Sequence, residues 1–93
     1  MNTLADIQFE EEVLVDELEL TTSRLIIHND EVNTFDWVIQ ALIEVCKHTL
    51  EQAEQCSYLI HYKGKYAVKS GALSKLKPMK DAITERGINA TIE

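Results

Sequence analysis

Cysteine, proline, glycine and aromatic side chains are all scarce in this 93-residue chain, which has two Cys, one Pro, three Gly and only six aromatic residues among Phe, Trp and Tyr. The two thiols, Cys46 and Cys56, are too few for a disulfide framework in so short a chain. So little Pro and Gly excludes collagen-like and low-complexity architectures. No apolar run approaches the ~18–20 residues that a membrane span requires. The opening residues also lack the positively charged start and apolar core of a secretory signal. A cytoplasmic location with no membrane partner is therefore expected.

Basic charge is missing from one end. Residues 1–23 carry Asp6, Glu10, Glu11, Glu12, Asp16, Glu17 and Glu19 with no Lys or Arg, which accounts for the whole net charge of −7. Residues 24–93 balance nine acids against nine bases. A short segment of like charge buries too little apolar area to offset its ordering entropy. Two parts are expected: an acidic flexible extension over 1–23 and a neutral globular body over 24–93. A body of that size supports a compact core but not a deep catalytic cavity.

Within the body, Arg24-Leu25-Ile26-Ile27-His28 is short, apolar and β-branched, the pattern of a buried strand. Asn29 to Asn33 breaks it with turn formers, and Asn33 is read as the N-cap of a helix. Phe35, Val38, Ile39, Leu42, Ile43 and Cys46 recur at helical spacing, giving a helix over 34–47. Thr49 and Gln52 form a capping box that opens a second helix, which Gly64 ends. Lys65 to Lys69 reads as a strand and Ser70-Gly71 as a turn. Pro78 predicts a short turn over 72–76 and a helix with that proline in its first turn, capped by Gly87. Ala90-Thr91-Ile92 is the closing strand. The order β-α-α-β-α-β implies an α+β fold, with three helices packed on one face of a three-stranded antiparallel sheet.

Two segments concentrate polar chemistry: Leu25-Ile26-Ile27-His28-Asn29-Asp30-Glu31-Val32-Asn33-Thr34-Phe35 and Ile60-His61-Tyr62-Lys63-Gly64-Lys65. With the closing Ala90-Thr91-Ile92-Glu93, and at matching distances, they resemble the ClpS family, bacterial adaptors of the Clp protease. The resemblance spans about 24–93. It implies a non-catalytic, monomeric adaptor, with no cofactor, that binds the bulky hydrophobic N-terminal residue of a substrate protein. The implied second partner is the N-terminal domain of a Clp-type ATPase unfoldase, to which the substrate is delivered for degradation. Asn29, Asp30 and His61 match the residues that hold the α-amino group in the family. Such a group is a small cation with several N–H donors; it needs acceptors and a nearby negative charge. The plainer alternative is that Asn29 and Asp30 only shape the turn and cap the helix.

The resemblance further implies an apolar slot lined by Phe35, Val38, Ser57, Ile60 and Ile88. Phe35 stands where the family often has Met, Asn33 where Thr is common, and Ser57 where a bulky apolar side chain is usual. Ser57 leaves more room, and its hydroxyl can bond back to a carbonyl of its own helix. Cys46, His48, Cys56 and His61 follow no recognised zinc spacing, and no nucleophile pattern is present, so neither a metal nor an enzyme is expected. Residues 63–86 hold seven bases against Asp81 and Glu85, a local +5. That leaves a ribosome- or RNA-associated α+β domain as the alternative; a solvated basic face with no nucleic-acid partner is the reading preferred here.

Overall fold

A computed structural model of the chain describes residues 22–93. The order is β1 (Ser23–His28), α1 (Phe35–Cys46), α2 (Leu50–Lys63), β2 (Lys65–Gly71), α3 (Leu73–Glu85) and β3 (Ala90–Ile92). The α+β class and the β-α-α-β-α-β order are those expected. The strands form one antiparallel sheet in the order β2-β1-β3, with β1 central. The acidic run that defined the extension lies outside the described residues. Ser23, grouped with that extension, pairs with Gly71 in the sheet.

Alternation along β1 sends Leu25 and Ile27 to the helix side, both fully buried. They meet Ala41, Leu42 and Cys46 of α1, Ala53 and Ile60 of α2, and Leu76 and Ile83 of α3 in one core. All three helices therefore cover the same face. Ile26 lies towards the other face, beside Arg24, Lys65 and Glu93. There the Glu93 carboxylate pairs with Arg24 at 3.2 Å and Lys65 at 3.5 Å. Between Leu25 and Ile26 the register shifts, and Val68 becomes the extra residue of a bulge in β2.

Three local expectations need correction. The N-cap of α1 is Thr34, not Asn33: the Thr34 hydroxyl accepts from the Trp37 N–H at 3.1 Å. Ser70-Gly71 is not a turn but the end of β2, paired with Arg24 and Ser23. And α3 runs through Pro78, its sixth residue, instead of starting there. An interior proline costs about 3 kcal/mol. Leu76 and Ile83, before and after it, are at most 1% exposed, and burying such side chains contributes about 1.5–3 kcal/mol each. Two core anchors on one stripe outweigh the missing donor.

The connection between α1 and α2 is tightly specified. Thr49 and Gln52 form the reciprocal capping box, with bonds of 3.1 and 2.9 Å. Two residues before Thr49, Lys47 takes a left-handed conformation at φ 62. A side chain there is strained by about 1–2 kcal/mol. Lys47→Gly is expected to raise stability and Thr49→Ala to lower it by about 1 kcal/mol. Thermal unfolding midpoints should move in opposite directions, Thr49→Ala falling by about 4–8 °C.

Candidate functional site

Where β1 ends, the loop 29–34 turns away from the sheet and opens a concave site against α2 and the segment leading into β3. It encloses a pocket of about 400 Å³. All eight residues singled out in the sequence line it: Asn29, Asp30 and His61 as polar groups, with Phe35, Val38, Ser57, Ile60 and Ile88 as walls and floor. Ile27, His28, Glu31, Asn33 and Thr34 complete the lining.

The loop is held by one carboxylate. Asp30 Oδ1 accepts from the backbone N–H groups of Val32 and Asn33, each at 2.8 Å, and Oδ2 accepts from the Asn33 side-chain amide at 2.8 Å. The backbone bond from Asn33 does most to lower the Asp30 pKa below its ordinary 3.8; the Asn33 side-chain bond comes next, while partial burial works the other way. Three of about four acceptor positions are used, so one remains unfilled among the described residues. The turn-shaping role is thus present, and it leaves an ionised oxygen available at the pocket.

Asn33 is the residue whose task the sequence did not reveal. Besides Asp30, its amide donates to the Gly87 carbonyl at 3.0 Å, tying the loop to the end of α3. Nearby, the Trp37 indole N–H donates to the Arg86 carbonyl at 2.9 Å, and Arg86 pairs with Glu44 at 2.7 Å. Two adjacent cap-competent residues, Asn33 and Thr34, were the available signal. With Thr34 capping α1, Asn33 is free to bridge.

On the opposite side, Asn29 is fixed through its backbone N–H, which donates to the Gly64 carbonyl at 2.8 Å. Gly64, at φ 87, ends α2 just beyond His61. The His61 ring is exposed and stands edge-on to Phe35, with centroids 5.3 Å apart. Phe35 is 44% exposed and forms a wall, whereas Ile60 and Ile88 are buried and belong equally to the core. Ser57 is 3% exposed, and among the described residues its hydroxyl makes no hydrogen bond, not even to its own helix.

The remaining chemistry-bearing residues have structural positions. His28 Nε2 meets the Thr91 hydroxyl at 2.8 Å, and His48 Nε2 meets the Val68 carbonyl at 2.8 Å. Cys46 is fully buried, and burial pushes its thiol up to about 11; burial raises Cys56 too. Among the described residues no cluster of three or more His, Cys, Asp or Glu could hold a metal ion, and no helix is long and apolar enough to cross a membrane.

Fold and site together define a small α+β domain with an acceptor-rimmed apolar pocket at the junction of loop 29–34 and α2. Residues 19–91 match the family model described as ATP-dependent Clp protease adaptor protein ClpS. The chain belongs to the ClpS family, a family of adaptors and not of catalysts. Among solved structures it is similar to Agrobacterium tumefaciens ClpS2 bound to L-phenylalaninamide, with a TM-score of 0.66 and 19% identity over 77% of this chain and 94% of that one. At that identity the likeness concerns the fold. No curated protein matches the chain.

The Asp30 bonds yield a signed expectation. Because the native pKa is lowered, this carboxylate stabilises the fold at pH values above its ordinary 3.8, and that contribution is lost as pH falls through the native value. Asp30→Asn should therefore be less stable than wild type at neutral pH. The difference in unfolding midpoint should shrink on acidification below pH 4; a gap that is constant down to pH 2 contradicts it.

Proposed function

We propose that this member of the family grips the free N-terminal residue of a substrate polypeptide and hands the chain to a Clp unfoldase. One observation carries this reading: an ionised carboxylate with a remaining acceptor position, Asn29 and His61 all border the same apolar pocket. An α-ammonium has three N–H donors and one positive charge. Asp30 supplies the charge and one acceptor. The Asn29 side-chain carbonyl and a neutral His61 ring nitrogen supply two more.

The side chain of that residue then enters the space between Phe35, Val38, Ser57, Ile60 and Ile88. Its volume suits one bulky hydrophobic group. That a ClpS2 was solved with phenylalaninamide, a free α-amine beside an aromatic side chain, supports the same chemistry here. No acid–base pair with a nucleophile is needed, because the step is recognition and transfer. The receiving partner is the N-terminal domain of the unfoldase, with the acidic stretch that precedes Ser23 as the engagement segment.

Two outcomes test this. A peptide with a free N-terminal Phe should bind about 10- to 150-fold more tightly than its acetylated twin, the loss expected when hydrogen bonds to a charged group are removed. Equal affinities in a fluorescence titration would end the N-terminal reading. Deleting residues 1–20 should leave that affinity unchanged and slow the degradation of an N-terminal Phe reporter by the reconstituted protease. Unimpaired degradation assigns the extension no part in delivery.

A further inference from the structure

The buried stripe of α2 reads Ala53, Ser57, Ile60, and Ser57 is its polar member. Its side chain is shielded from solvent, its hydroxyl has no partner among the described residues, and it lines the pocket with Val38, Ile60 and Ile88. A serine inside a helix commonly settles its hydroxyl on the carbonyl four residues back; Ser57 does not. A buried, unpaired hydroxyl is destabilising, and Ser57 is the one buried polar residue among those that line the pocket; with no partner to hold it, its hydroxyl is free to turn about χ1 toward a ligand. Binding pockets achieve specificity with few polar groups placed in apolar walls.

We propose that Ser57 is a specificity-determining residue whose hydroxyl pairs with a phenol, so that the site favours an N-terminal Tyr over an N-terminal Phe. The inference rests on the reading of this pocket as a site for N-terminal residues. A phenol fits for three reasons. It has an apolar body and a polar tip. It is neutral at pH 7, so it needs no counter-ion among Val38, Ile60 and Ile88. And, like Ser57, it both donates and accepts. If Ser57 only made the pocket larger, any group at the ring's para position would gain.

The test uses peptides beginning with Phe, Tyr or 4-methylphenylalanine, each free and acetylated, titrated against the full chain and Ser57→Ala. Ser57→Ala should lower the Tyr-to-Phe affinity ratio about fivefold or more. The 4-methyl ligand, which has the size of Tyr without its hydroxyl, should bind wild type more weakly than Tyr and should not be weakened by the variant. The unfolding midpoint of Ser57→Ala should not fall, since an unpaired hydroxyl is removed. An unchanged Tyr-to-Phe ratio, or a 4-methyl ligand equal to Tyr on wild type, overturns the inference; the second comparison needs no variant. If free amines are still preferred in that case, the N-terminal reading stands without it. If acetylated peptides bind as well as free ones, both fall.

Discussion

The Asp30 carboxylate is the interaction on which the rest of the site depends. A strand that ends at His28 and a helix that starts at Phe35 leave six residues to reverse direction, and the chain does so around one side chain with three accepted bonds. Through Asn33 the same carboxylate reaches the Gly87 carbonyl, so the loop is braced against the end of α3 and not only against itself. The pocket is consequently formed by elements distant in sequence: loop 29–34, α2 and Ile88. Without that brace its mouth would be set by loop entropy. With it, the acceptors are placed before any ligand arrives, which is how preorganisation strengthens binding.

Much of this was legible in the sequence because several local rules agreed. The apolar Leu25-Ile26-Ile27 run, the helical spacing from Phe35 to Cys46 and the Thr49–Gln52 box each point to one element, and each is present. The rules failed where a local preference met a tertiary one. Pro78 argues for a helix start, but Leu76 and Ile83 hold the helix continuous across it. Ser70-Gly71 has turn chemistry, yet β1 extends back to Ser23 and offers partners for both residues. Asn33 and Thr34 are both good caps, and only the arrival of Gly87 beside the loop decides which one is released to bridge. The eight residues that line one pocket could be grouped through the family resemblance, but the unpaired state of Ser57 could not be foreseen, since it depends on what surrounds the hydroxyl.

The basic stretch illustrates the same limit. As a sequence, 63–86 is a +5 segment that could attract a polyanion. In the fold its charges are dispersed among partners: Lys65 with Glu93, Lys69 with the Cys46 carbonyl, Lys77 with Asp81 and Arg86 with Glu44. A contiguous basic surface is what phosphate contacts require, and a local excess along the chain does not by itself produce one.

The pocket also shows where a binding site can vary without unfolding its scaffold. Ile60 and Ile88 line it, but both are buried members of the core, so reshaping either would alter packing between helices and sheet. Val38 is packed against the same cluster. Phe35 and Ser57 differ in kind. Phe35 is 44% exposed and touches His61 at the rim; Ser57 is buried yet contributes a polar group to an apolar stripe. These are also the two wall positions at which the sequence departs from the family's usual side chains. Phe35 stands at the pocket's rim and Ser57 in its buried lining, and neither belongs to the buried apolar cluster that holds sheet and helices together. The core therefore constrains the pocket's shape, and the side chains at these two positions can change with the least effect on its packing.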